Sequence, residues 1–134
     1  MPENTITPPT KIGEWTTQET IEVLSRPIPK NLLKKKGKYD YLPWQEVQRI
    51  LNKYCPGHKW EVLEKSIMDI TENGRYLYLK GRLTIICSDG ETSREAIGSL
   101  KISEVQHADP IMTAEQIAFK KAACRFGLAL GLRD

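Results

Sequence analysis

Histidine is scarce: His58 and His107 are the only two among 134 residues. The three cysteines, Cys55, Cys87 and Cys124, lie far apart and form no Cys-x-x-Cys pair. This leaves no zinc-ligand spacing and no set from which a Cys–His or Ser–His–Asp site assembles. The cysteines read as free thiols, buried or half-buried, in a reducing compartment. No G-x-x-x-x-G-K-[ST] sequence occurs, and no glycine-rich loop leaves a strand to open a helix, so no nucleotide cradle is expected. Every apolar run falls short of the roughly 20 residues of a membrane span. The N-terminus lacks the basic-then-apolar order of a signal peptide. Glu61 with Glu64, and Glu91 with Glu95, read as solvent charges. Asp69 and Glu72, near an expected turn, are the one candidate pair for a divalent ion. These absences favour a cytoplasmic binding protein over an enzyme, with no cofactor, no metal and no membrane partner.

What is present is charge in particular places. The balance is mild, 20 basic against 17 acidic residues, yet the basic residues cluster. No acidic residue lies between Gln116 and Leu132. Over that stretch Ile117, Phe119, Ala122, Ala123 and Phe126 gather on one face at about 100° per residue, with Ile117 at the margin. Lys120, Lys121 and Arg125 fall on the other side, and Lys121 and Arg125 are one turn apart. Thr113 and Gln116 carry the spacing of a capping box. The alanines would let the helix approach a sheet closely, and Gly127 and Gly131 would end it. An ordinary amphipathic helix has a solvated basic face; one purely cationic also suits a polyanion.

The length fits one domain. Residues 1–14 read as a disordered leader, with Pro2, Pro8 and Pro9 and little to bury. Residues 15–134 read as a single α+β domain. Thr17–Leu24 predicts a short helix with Ile21 and Leu24 inward, stopped at Arg26-Pro-Ile-Pro29. Lys30, Lys34, Lys35, Lys36 and Lys38 form the densest basic run, expected as a mobile loop around Gly37, flanked by Tyr39 and Tyr41. It reads either as solvation or as an electrostatic contact for phosphates with stacking aromatics nearby. Pro43 opens a helix to Tyr54, with Val47, Ile50, Leu51 and Tyr54 as its apolar stripe.

Three strands follow. Lys59–Met68 is the first, with Trp60 and Val62 on one face. Glu72-Asn-Gly74 favours a tight hairpin. Arg75–Cys87 alternates Tyr76, Tyr78, Lys80, Arg82 and Thr84 against Leu77, Leu79, Gly81, Leu83 and Ile85. Ser88-Asp-Gly90 turns into a third strand over Glu91–Gly98, and 100–111 reads as an irregular connection. The expected architecture is an antiparallel three-stranded meander packed by a long C-terminal helix, after one or two earlier helices. Its open sheet edges favour self-association. Lys80 and Arg82 either contact a polyanion or lay long stems over an exposed sheet face. Trp15, Trp44 and Trp60 read as core or subunit contacts, Trp60 best as core.

The stretch Ala118-Phe-Lys-Lys-Ala-Ala-Cys-Arg-Phe-Gly-Leu-Ala-Leu-Gly131 resembles a helix of the Rad-fifty-two superfamily of single-strand annealing proteins. That helix carries paired basic residues, small residues, then Phe-Gly. Tyr41-Leu-Pro-Trp-Gln-Glu-Val-Gln-Arg-Ile-Leu-Asn52, leading to Trp60, is similar to the first core helix and strand of the family. Leu79-Lys-Gly-Arg-Leu-Thr-Ile85 and Arg94-Glu-Ala-Ile-Gly98 look closest to the DdrA-type bacterial branch, which protects DNA ends. The resemblance implies β-β-β-α cores packed into a homo-oligomeric ring with single-stranded DNA in a basic outer groove. It implies annealing or end protection in DNA recombination and repair, and possible contacts with other repair proteins. The setting it implies is bacterial or phage-type and nucleoid-associated. By position, Lys120 and Lys121 match the paired basic residues that hold the DNA backbone. Glu46 stands where a eukaryotic member has a basic contact; Arg49, one turn along, or the Lys34–Lys38 run would substitute.

The residues taken alone agree: a groove tracking a single strand needs spaced cations, which Lys80, Arg82, Lys120, Lys121 and Arg125 supply. Two other readings stand beside this one. A double-stranded RNA-binding domain shares the α-β-β-β-α order but holds its lysines in the helix's first turn. A protein-interaction module would use its lysines only for solubility.

Overall fold

The computed structural model describes residues 6–69, 74–105 and 109–130. It is an α+β fold, a three-stranded antiparallel sheet with helices laid on one face. Helix α1 covers Thr17–Leu24, α2 covers Trp44–Tyr54 and α3 covers Pro110–Cys124. Strands β1 (Lys34–Lys36) and β2 (Tyr39–Tyr41) form a separate hairpin. Strands β3 (Lys59–Asp69), β4 (Arg75–Cys87) and β5 (Gly90–Lys101) form the sheet in that order.

The alternation of β4 sets the two faces. Leu77, Leu79, Leu83 and Ile85 are buried under the helices. Directly paired residues share a face, so Trp60 and Val62, opposite Leu83 and Gly81, join that side. A bulge between Val62 and Glu64 then shifts the register and brings Lys65 and Ile67 onto it. On β5 the same face takes Arg94, Ala96, Gly98 and Leu100. The other face carries Tyr76, Tyr78, Lys80 and Arg82, with Glu95, Ile97 and Ser99 across from them.

Small residues let α3 lie directly on the sheet. Ala114, Ala118, Ala122 and Ala123 are buried along its inner side, with Phe119 and Phe126. At Gly98 a Cβ would run into the Ala114 carbonyl oxygen and the Ala118 nitrogen, so helix backbone meets strand backbone there. Trp60 lies over Gly81, edge-on to Phe119 at 5.3 Å, and its indole N–H donates to Glu115 at 2.9 Å. The Tyr54–Trp15 stack, at 6.0 Å, fastens the stretch before α1 to α2. A capping box between Thr16 and Glu19 starts α1. The Asp89 carboxylate then accepts from the Thr17 N–H and hydroxyl, both at 2.9 Å, which holds its carboxyl below the usual range. Leu24, Leu42, Val47 and Leu51 fill the core between α1, α2 and the sheet.

Several expectations need correction. The cap of α3 is Asp109, whose carboxylate accepts from the Ile111 and Met112 N–H groups, with Pro110 in the first turn. Thr113 sits inside that turn, its hydroxyl donating to the Asp109 carbonyl at 2.9 Å. An aspartate followed by proline is the stronger start signal, since proline lacks an N–H the first turn cannot use. The basic run is a hairpin, with Gly37 at φ 64° opening a two-residue turn that fits type II′. Strand β5 continues to Lys101, past Gly98, and Ile102–Val105 forms a 3-10 turn. Within residues 10–14, the Thr10 N–H and hydroxyl donate to Glu14, and Ile12 lies beside Gly57. Gly127 ends α3 at φ 103°: its N–H donates to the Cys124 carbonyl and that of Leu128 to Ala123, a Schellman pattern. Glu72 and Asn73 of the expected turn, and the ending at Gly131, lie outside the described residues.

Candidate nucleic-acid interface

Lys120 and Lys121 are neighbours in sequence but sit 100° apart around α3, and the fold sends them to different places. Lys121 is exposed and shares a hollow with Arg125, Lys80, Glu95, Ile97 and Ser99. Arg94 adds a cation beside it. Its guanidinium lies 4.7 Å from the Phe126 ring centroid, and its Nε–H donates to the Arg125 carbonyl at 3.4 Å. Arg94 therefore occupies the C-terminal end of α3, where cations are favoured by the helix dipole. We did not identify Arg94 as a site residue from sequence; its signal was there, since it alternates with Ala96 on the helix-facing side of β5.

Lys120 turns the other way. Its Nζ lies 5.3 Å from the Tyr41 ring centroid, within cation–π range, and it borders Leu42 and Val47. Lys34 is the cross-strand partner of Tyr41. Tyr41 thus brings the hairpin up against α3. Lys35 is paired with Asp40 at 3.2 Å, and Lys38 is exposed in the turn. The side chain of Lys36 lies outside those described.

Lys80 and Arg82 project from the sheet face opposite α3, and both are matched by a carboxylate. Glu95 accepts from Arg82 Nε and Nη2 at 3.1 and 2.9 Å and from Lys80 Nζ at 3.3 Å. Those bonds, Arg82's foremost and then Lys80's, hold the Glu95 carboxyl below its usual range. Arg82 also approaches Glu61 at 4.0 Å. Tyr76 and Tyr78 are half-buried on this face. Arg49 is exposed on α2 but donates to Glu46 at 2.7 Å, so the departure at Glu46 and its expected substitute neutralise each other. Of the cations anticipated, Lys121 and Arg125 stand together at the end of α3, Lys120 lies over Tyr41, and Lys80, Arg82 and Arg49 are ion-paired.

Among the described residues no group of three or more His, Cys, Asp or Glu side chains is placed to hold a metal ion. The Asp69 side chain and Glu72 lie outside those described. No described helix is long and apolar enough to cross a membrane.

No family model matches the chain. It is 36% identical over 121 residues to "DNA repair RAD52-like protein 2, chloroplastic" of Arabidopsis thaliana, covering 85% of this chain and 59% of that protein. It is 28% identical over 118 residues to "DNA repair RAD52-like protein 1, mitochondrial" of the same plant, covering 85% of this chain and 65% of the relative. The chain thus spans less than two thirds of either relative. Both similarities support the superfamily that the Lys120–Gly127 segment resembles, and neither bears on the DdrA-type branch. RAD52-like DNA repair proteins are homologues of this chain.

Proposed function

We propose that the chain binds single-stranded DNA by its backbone, self-associates through its sheet edges, and promotes annealing or protects ends in DNA repair. The observation that carries this is the outer side of α3. Lys121 and Arg125 stand exposed one turn apart with Arg94 beside them, and Lys120 lies over Tyr41 of the basic hairpin. Cations spaced along a ridge hold phosphates without reading bases, which leaves bases free to pair. The action is non-covalent, with no bond made or broken by the protein. The role in DNA repair that the relatives' names carry supports the same reading.

The sheet order leaves β3 and β5 as edges, and Val62, Leu63 and Ile67 on β3 and Ile97 on β5 are exposed apolar residues. Such edges favour pairing with another copy. The double-stranded RNA reading loses ground to one observation. Helix α3 begins at Pro110, so Lys120 lies almost three turns in, far from the first turn where that module grips phosphate.

The test is fluorescence anisotropy of a labelled oligothymidylate across a salt series. Lys120→Ala with Lys121→Ala should weaken binding by about 1–3 kcal/mol and flatten the log–log salt slope by up to about two units, with the circular dichroism unchanged. An unchanged slope removes α3 from the interface. Tighter binding to duplex RNA than to the oligothymidylate would favour the other module.

A further inference from the structure

Away from the cations of α3, a hollow of about 300 Å³ opens between α1, α2 and the proline-bounded turn after α1. Its floor is apolar: Val23, Leu24, Ile28, Leu32, Ile50 and Leu128. Its rim is different in character. Arg26, Arg49 and Lys53 stand around the mouth, against one carboxylate, Glu46, which is already bonded to Arg49. Among the described residues, Arg26 has no carboxylate partner, and Lys53 lies 5.2 Å from the Tyr54 ring centroid.

We propose that this hollow docks a short acidic peptide segment of a partner protein, one bulky apolar side chain entering it and flanking carboxylates meeting the rim. Two independent features select that occupant. The volume is at the small end of ligand pockets and suits an anchor residue better than a folded domain face. The rim carries a net excess of cations, so an anionic flank is complementary and a basic or neutral one is not. A nucleic-acid strand would use the cations but leave the apolar concavity unfilled. Tyr54, the one aromatic ring among the described lining residues, already stacks on Trp15.

Two residues divide the roles. Arg26 and Lys53 are the exposed rim charges that set the encounter rate and its salt dependence. Val23, half-buried on α1, lines the apolar seat.

The experiment measures anisotropy of a fluorescein-labelled short peptide carrying one Phe between pairs of Asp. Saturable binding is expected. It should fall at least about tenfold, equivalent to about 1.4 kcal/mol, when Lys replaces the Asp residues or Ser replaces Phe. Arg26→Glu with Lys53→Glu should produce a similar loss at an unchanged melting temperature. Val23→Asp, on a different element, should abolish binding without touching the rim. No saturable binding, equal binding of the Lys-bearing peptide, or displacement of the peptide by oligothymidylate from wild type and from Lys121→Ala alike would each overturn the proposal.

Discussion

At the scale of single residues, the electrostatics of this protein depend on who stands next to whom. Lys80 and Arg82 have the same formal charge as Lys121 and Arg125, but Glu95, which lines the same hollow as Lys121 and Arg125, is ion-paired to the first two and not to the second. An exposed ion pair contributes little to stability, yet it cancels the local field that a phosphate would feel. Cys55 makes the same point about burial. It is 3% exposed, and removal from water pushes its thiol up to about 12. Only the thiolate is alkylated, so Cys55 should stay unmodified by iodoacetamide near pH 8 while half-buried Cys124 is labelled. Peptide mass spectrometry after a timed quench checks this. Cys55 labelling as fast as Cys124 in the folded protein would contradict the buried assignment.

At the scale of elements, α3 owes its beginning to Asp109 and its fit to alanines and Gly98. Asp109→Ala removes an acceptor shared by two first-turn N–H groups. It should cost about 1 kcal/mol in urea unfolding, within the usual range for caps. A loss indistinguishable from zero would place the cap elsewhere. Phe126 is 1% exposed and lies under Arg94, so it belongs to the core and to the neighbourhood of the cationic ridge at once. The elements best legible in the sequence were those with long, clean periods. Strand β4 alternates from Tyr76 to Leu83 before running into the buried Thr84 and Ile85, and α1 and α2 have helical stripes that fit their observed spans. The basic hairpin was not legible as one, because a run of lysines says solvation while two short strands bury too little to show a pattern. The site was legible in part. The angle between Lys120 and Lys121 follows from helix geometry, but the approach of Tyr41 to one of them, and of Arg94 to the other's neighbour, depends on packing between distant segments. So does the neutralisation of Arg82 by Glu95, a cross-strand partner thirteen residues away.

At the scale of the whole molecule, α3 covers one face of the sheet, no described helix lies on the Tyr76–Arg82 side of the other, and both outer strands are edges among the described residues. An edge as long as β3, with Ile67 at 56% exposure, is a liability for a monomer. We expect light scattering to give a mass several times the 15.3 kDa of one chain. Ile67→Lys should reduce that mass, since a charge on an edge opposes strand addition. A monomer at working concentrations would remove edge pairing from the proposed function while leaving the cationic ridge to be judged by its salt slope.

The contact at Gly98 has a mechanical consequence. Because helix backbone rests on strand backbone there, no layer of side chains lies between them to take up a displacement. Ridge and edge strand are one stiff part. If copies join through their edges, the step from one chain's row of cations to the next is dictated by strand geometry alone, and the assembly would act on a bound strand as a ruler with fixed graduations.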